Sequence, residues 1–349
     1  MNISQPRWKI PLYKKSEINA AGDIMRKSDA TSAEISNATD IIDNWRASHA
    51  YPLHVFYMNL RRIAKKRNDI IVAERLKRLD SIVDKLKREQ GMKLSRMQDL
   101  GGCRIVFPTL SEVYTYSEKL RNSRIRHIFK REHDYIRNPK TSGYRSLHLI
   151  YKFQSDTSGL DIYNNNMLIE LQFRTHLQHI WATALETMGL FTHQALKAGK
   201  GSNDIKRFFV LISSLFAIKE HCPVVPGTIE DEKELISEVE QINDDFHILE
   251  MLSAICVAID HEAEKKLDKK GYYILRLNYE IRRLRISYFK PSEAEQANLA
   301  YNNLEKETEG KPIDVVLVRT ASFNTVKAAY PNYFMDISEF VKIVSEYLH

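Results

Sequence analysis

Three shortages bound what this chain can be. It holds only three cysteines in 349 residues, Cys103, Cys222 and Cys256, odd in number and far apart. That spacing excludes a disulfide framework and argues against a structural zinc site, so a reduced, cytoplasmic protein is expected. No apolar run reaches the length of a membrane span, and none is expected. The opening MNISQPRWKIPLYKKSE is charged and lacks the apolar stretch of a signal peptide. Internal repeats and low-complexity tracts are also missing.

What is present is a large apolar fraction and an uneven charge. Apolar residues make up 43% of the chain, enough for a sizeable core across about two domains. The net charge is +7. Residues 1–225 hold 37 Lys/Arg against 22 Asp/Glu, a surplus of +15. Residues 226–270 hold 5 against 13, or −8, and residues 271–349 hold 10 against 10. A basic body joined to an acidic segment points to a polyanionic ligand, although a solvated surface with a chance imbalance has the same composition. CPVVPGT, with two prolines and a glycine, places a boundary near residue 225.

Periodicity supplies the elements. Residues 18–90 read as helical, and between residues 37 and 66 Pro52 is the one boundary. Within VAERLKRLDSIVDKLKREQ, the residues Val72, Leu76, Leu79, Ile82, Val83 and Leu86 fall at spacings of three and four, the apolar stripe of one basic helix. Arg75, Lys77, Arg78, Ser81 and Lys85 lie along it. GCRIVFP, YRSLHLIYKFQ and NMLIELQFRT read as strands, VYTYSEKLRNS and KRFFVLISSLFAIKE as helices, and His176–Lys197 as another helix. An acidic helix runs to about Lys270. The tail reads as strand (272–289), helix (292–307), strand (313–318) and short helical pieces.

Some residue types carry chemistry. On the alternating strand, Glu170, Gln172 and Arg174 share the polar face, where a carboxylate and a guanidinium can hold a divalent metal and a phosphate. A solvent-facing strand has the same alternation. Asp99 precedes a second strand, with Arg104 beyond it. Two carboxylates from separate strands suit Mg²⁺ when water and phosphate oxygens complete its shell, though a lone Asp there is also a common turn residue. The loop PKTSGYRSLH places Tyr144 beside Arg145, Ser146 and His148, an aromatic ring among phosphate-binding side chain types.

Taken in order, RLKRLDSIVDKL (75–86), DLGGCRI (99–105), HDYIRNPKTSGYRSLH (133–148) and IELQFRTHLQHIWATALE (169–186) resemble the synthetase domain of the RelA/SpoT family, ATP-dependent pyrophosphokinases that make alarmone nucleotides. The resemblance covers about Glu74 to Lys197. It implies an α+β fold: a nucleotidyltransferase-like mixed sheet with flanking helices. It also implies roles. Tyr144 would stack on the acceptor base, Gly143 would let the backbone approach it, and Lys140 and His148 would contact phosphates. Arg75, Lys77, Ser81 and Lys85 would bind ATP, with Arg75 and Arg104 sandwiching the adenine. Asp99 would hold Mg²⁺. Glu170 would assist the metal or deprotonate the attacking ribose hydroxyl. Gln172, Arg174 and His179 would complete the pocket. No His…His-Asp set precedes the synthetase blocks, so hydrolase activity is not expected.

The whole chain most resembles toxic small synthetases fused to their own antitoxin, the CapRel group of phage-defence proteins. That likeness implies a pyrophosphokinase toxin over residues 1–225, an acidic helical linker over 226–270, and an autoinhibitory sensor over 271–349. The last would be a small α/β domain imitating a zinc finger without metal. Tyr330 and Tyr333, a Tyr-x-x-Tyr, would plug the ATP site; two tyrosines three apart are otherwise ordinary core residues. The acceptor would be the 3′ CCA end of tRNA, with Lys65, Lys66 and Arg67 contacting RNA. The activating partner would be a phage protein such as a major capsid protein, and no membrane is involved. The alternatives are a (p)ppGpp synthetase using GDP or GTP, and a catalytically dead RNA-binding regulator.

Overall fold

The structure is a computed structural model and describes residues 8–65, 67–195, 202–253, 258–259, 269–308, 310–320, 323–334 and 337–348. Three helices open the chain: α1 (Lys15–Ile24), α2 (Ser32–Ser48) and α3 (Ala50–Ile63). Thr31 caps α2, its hydroxyl accepting from the Glu34 N–H while the Glu34 carboxylate accepts from the Thr31 N–H. Pro52 sits in the first turn of α3, where its missing N–H breaks no helical bond.

The stripe predicted as one helix over Val72–Leu86 is two elements. β1 (Ile71–Leu76) and α4 (Leu79–Arg88) meet at Arg78, whose backbone is extended. Residues four apart share a face in a helix and also in a strand, so the spacing of Val72 and Leu76 does not separate the two. Pairing on both sides settles it: β1 lies antiparallel to β2 (Gly101–Phe107) and to β9 (Ile313–Thr320). Arg75 is therefore on a strand and Lys77 and Arg78 on the turn after it; only Ser81 and Lys85 are helical.

α5 (Leu110–Arg121), β3 (Ile128–Asp134), β4 (Leu147–Lys152), β5 (Leu168–Thr175), α6 (His176–Ala195) and α7 (Ser202–Lys219) follow. Then come α8 (Glu232–Phe246), α9 (Ile248–Ser253), β6 (Ala258–Ile259), β7 (Gly271–Asn278) and β8 (Arg283–Phe289). The single strand expected over 272–289 is the hairpin β7–β8, and its turn includes Arg282 at φ 50°. No glycine marks that turn, which is why it escapes a reading of the sequence. The helix Ala294–Thr308 leads to β9, and the helices Phe323–Ala329, Pro331–Phe334 and Ser338–Tyr347 complete the tail.

The strands form one mixed sheet in the order β3-β4-β5-β2-β1-β9-β7-β8-β6. β2–β5 and β6–β8 are parallel and the other pairs antiparallel. The compositional breaks near 225 and 270 do not interrupt this architecture, because the tail strands lengthen the same sheet. One core packs α1–α4 against the sheet. The other joins Phe208, Phe209 and Leu215 of α7 to Tyr273, Val316, Val318 and Phe323 of the tail. Phe209 and Phe340 stack with centroids 5.6 Å apart. No described helix is long and apolar enough to cross a membrane.

Candidate active site

The site is built on one face of β1, β2, β5 and β4. Register sets it: Gly102 of β2 lies between Arg75 of β1 and Glu170 of β5, and Arg104 and His148 both flank Gln172. Gly102 contributes no side chain, and a Cβ there would meet nothing closer than 3.9 Å. The gap it leaves floors a cavity of about 250 Å³ lined by Arg75, Lys77, Asp99, Arg104, Tyr144, Glu170, Gln172, Arg174, Glu186 and Tyr330. A second cavity of about 650 Å³ opens on the other side of Asp99, Tyr144, Glu170 and Gln172, with Lys85, Arg131, His133, Tyr135, Lys140 and His148 around it. Those four residues line both cavities and form the wall between them.

Glu170 is anchored on both oxygens. His148 Nδ1 lies 3.0 Å from Oε1, and the Gln172 amide donates to Oε2 at 2.7 Å. Burial alone would raise its pKa, but the His148 and Gln172 hydrogen bonds and the nearby Lys85 charge outweigh it and hold the carboxyl at about 2. Asp99 sits between two ammonium groups, 3.0 Å from Lys77 Nζ and 3.1 Å from Lys85 Nζ. Tyr144 is half-buried; its hydroxyl lies 2.9 Å from His148 Nε2 and accepts from Arg174 Nη2 at 2.7 Å. Lys140 Nζ is 4.4 Å from the Tyr135 ring centre and 5.3 Å from that of Tyr144.

The first cavity gathers four cations, Arg75, Lys77, Arg104 and Arg174, beside three carboxylates, Asp99, Glu170 and Glu186. Burial, with Arg174 nearby, lowers the Arg104 guanidinium to about 10. Among the described residues, Arg104 Nε and Arg174 Nε and Nη1 are buried with no hydrogen-bond partner. Buried donors in that condition are costly unless a ligand satisfies them. Among the described residues no cluster of three or more His, Cys, Asp or Glu side chains is placed to hold a metal by itself. Asp99 and Glu170 line both cavities, and two carboxylates at that junction fit a Mg²⁺ ion that takes its other oxygens from phosphates and water. When bound it would neutralise phosphate charge.

The tail enters this cavity. Tyr330 is 4% exposed, and its hydroxyl donates to the Glu74 carbonyl at 3.1 Å, next to Arg75. Arg104 Nη1 reaches the Ala329 carbonyl at 3.4 Å, and His179 Nε2 lies 2.9 Å from the Ala328 carbonyl. Tyr333 is buried with its ring centre 6.5 Å from that of Tyr330, and it does not line the cavity. Burial pushes both phenols up to about 12.

Several expected residues stand elsewhere. Arg145 and Ser146 turn inward: the Arg145 guanidinium binds Ser213 Oγ and the Ile136 and Pro223 carbonyls, and Ser146 donates to the Phe173 carbonyl. They hold the loop, and of its basic side chains Lys140 and His148 line the second cavity. Gly143 faces away from the acceptor cavity; at φ 86° its added Cβ would lie 2.8 Å from Trp181, so this position needs glycine for a tight turn against α6. Ser81, on the first turn of α4, lines neither cavity. His179 is buried against the tail. Arg67 is held by Asp69 and Glu112, Lys65 is exposed, and Lys66 lies outside the described residues. The sequence reading gave no role to Gly102, Glu186, Tyr135 or Arg131. Gly102, Tyr135 and Glu186 stand inside quoted blocks, whereas Arg131 lies on the edge strand β3, whose mostly exposed IFKREHD run has no apolar alternation and shifts register between Phe129 and Arg131.

Residues 74–194 match the family described as "Region found in RelA / SpoT proteins". Two Bacillus subtilis (strain 168) proteins are similar to it: "GTP pyrophosphokinase YwaC", 33% identical over 115 residues, and "GTP pyrophosphokinase YjbM", also 33% identical over 115 residues. These alignments take in 31% and 32% of this chain and 52% of each relative, so the match spans about half of the relatives' own length. A solved structure of the B. subtilis small alarmone synthetase 1 with its product pppGpp aligns at 22% identity and a TM-score of 0.42, over 50% of this chain and 89% of that one. The matched residues 74–194 take in both carboxylates and the whole wall between the cavities.

Proposed function

We propose that this protein is an ATP-dependent pyrophosphokinase. The observation that carries the reading is the shared wall. Asp99 and Glu170 stand between an arginine-lined cavity suited to a donor triphosphate and a tyrosine- and lysine-lined cavity suited to an acceptor nucleotide. An acceptor hydroxyl oxygen would attack the β-phosphorus of ATP, the bond from that phosphorus to the α–β bridging oxygen would break, and AMP would leave while the hydroxyl proton passes to a base. Such transfer depends on positioning and on neutralising phosphate charge, which Arg75, Lys77, Arg104 and Arg174 supply. The two relatives named GTP pyrophosphokinase support the reaction class.

The acceptor we favour is the 3′ CCA end of tRNA, on the +15 surplus of residues 1–225. The second reading is GDP or GTP, supported by the relatives' names. A catalytically dead RNA-binding regulator is disfavoured by the intact Arg75, Asp99, Tyr144 and Glu170. Tyr330 in the donor cavity supports autoinhibition, since a tethered side chain acts at high effective concentration. In phage defence, a phage protein such as a major capsid protein would release it.

The test is transfer of label from γ-labelled ATP with intact tRNA, tRNA lacking its terminal CCA, and GDP in competition. It is run on the full chain and on Tyr330→Ala/Tyr333→Ala. Label on intact tRNA alone, and more of it from the tyrosine variant, is expected. Label on GDP selects the alarmone reading, and label on neither acceptor in both proteins removes the pyrophosphokinase.

A further inference from the structure

Arg46 is a charge that the synthetase region does not explain. It belongs to α2 and is 1% exposed. Its Nη1 pairs with Glu305, and its Nη2 lies 3.0 Å from Asn302 Oδ1 and 3.0 Å from Asp43 Oδ1. Its guanidinium carbon stands 5.3 Å over the Tyr301 ring. Apart from Asp43, these partners come from the tail helix Ala294–Thr308. The other oxygen of Glu305 accepts from the Tyr301 hydroxyl at 2.9 Å and from the Leu79 backbone N–H at 3.1 Å. Leu79 is the first residue of α4, whose N-cap residue, Arg78, makes no side-chain capping bond. Glu305 thus supplies from the tail the acceptor that a helix start ordinarily finds locally. Arg78 pairs with Asp314 of β9, and Lys306 lies 3.4 Å from Asp40 of α2. The tail grips the chain on both sides of the turn that links Arg75 to Lys85.

We propose that Arg46 and Glu305 are a latch that holds the tail closed over the donor cavity, with Glu305 completing α4 only in the closed state. The inference rests on the reading that Tyr330 blocks the donor site. A buried ion pair tolerates neither partner alone, because the remaining charge is stranded away from water. Separation of the tail helix from α2 and α4 returns both charges to water and breaks the Arg46–Glu305, Arg46–Asn302 and Leu79–Glu305 bonds together. The closed state therefore depends on the pair, and the open state does not.

Amide hydrogen exchange on the full chain tests this, with Arg46→Met, Glu305→Leu and the double variant. Each single change is expected to speed exchange at Leu79 and over residues 323–334 by at least tenfold. The double should speed exchange over 323–334 no further than the larger single effect, the signature of residues acting as a unit. Glu305→Gln, which keeps an acceptor for Leu79, is the variant for use if the others fail to fold; about a threefold rise over 323–334 is expected. Unchanged exchange over 323–334 in folded single variants, or in folded Glu305→Gln, overturns the latch. Binding of a nonhydrolysable ATP analogue separates the two ideas. Faster exchange without better binding, in latch variants and in Tyr330→Ala/Tyr333→Ala alike, keeps the latch and removes the donor-site plug.

Discussion

Glu170 is a carboxylate held ionised by its neighbours, and that makes it both a structural and a chemical group. Its folded pKa of about 2 lies below the ordinary 4.5, so its stabilising contribution is complete above about pH 4.5 and lost as pH falls towards 2. The shift corresponds to about 3 kcal/mol. Glu170→Gln should lower stability at pH 7 by up to that amount and flatten the acid limb of a stability–pH curve between those values, measured by urea unfolding. The same change, like Asp99→Asn, should reduce pyrophosphate transfer by about 100-fold or more, because charge at the junction of the cavities is lost. Tyr144 offers a finer test. In the proposed reaction its ring is the acceptor platform, while its hydroxyl is bonded to His148 and Arg174. Tyr144→Ala should cost about 100-fold in kcat/KM, in keeping with one lost stacking contact. Tyr144→Phe should cost about tenfold, since the platform stays and the hydroxyl link goes. Equal losses in the two variants would assign the whole effect to the hydroxyl.

At the scale of elements, the turn after α3 divides its basic residues into two kinds. Arg67 donates to both oxygens of Asp69 and to Glu112 in the first turn of α5, so it ties the lead into β1 to that helix. Its charge is spent within the protein. Arg67→Ala should lower the melting temperature and leave the salt dependence of RNA binding unchanged. Lys65 is exposed, and Lys65→Ala should reduce the slope of log affinity against log salt by about one if RNA runs across this turn. Electrophoretic mobility shifts across a salt series read both variants. A reduced slope for Arg67→Ala alone would contradict the ion-pair assignment.

For the molecule as a whole, the tail is part of the core. Removing residues 271–349 strips β9 from β1 and uncovers apolar side chains of α6 and α7 that pack on Tyr273, Val316, Val318 and Phe340. The truncated chain should aggregate or melt well below the full chain in differential scanning calorimetry, and a harmless truncation in cells would then report misfolding. Tyr330→Ala/Tyr333→Ala keeps the sheet and is the cleaner way to open the donor cavity. In cells it should be toxic, and adding Asp99→Asn should abolish the toxicity. A folded double-tyrosine variant that binds an ATP analogue and is harmless would remove autoinhibition as the tail's role.

The sequence by itself, through its resemblance to the RelA/SpoT synthetase domain, singled out Arg75, Asp99, Arg104, Tyr144, His148 and Glu170, and the structure brings these side chains to the two adjoining cavities. The strands bearing Arg104, His148 and Glu170 were legible because they alternate or run apolar as strands do. Tertiary structure decided what local order cannot express. Whether Val72 and Leu76 lie on a helix or a strand depends on β2 and β9 pairing beside them. Whether Arg145 faces phosphate or Ser213, and whether Arg67 is free or paired, depends on chain that arrives from other elements. Arg46 and Glu305 are 259 positions apart, and neither carries a motif. Their meeting follows from the tail strands joining the same sheet, since hydrogen-bonded pairing and shared apolar burial are satisfied between distant segments and leave no fixed spacing in the sequence.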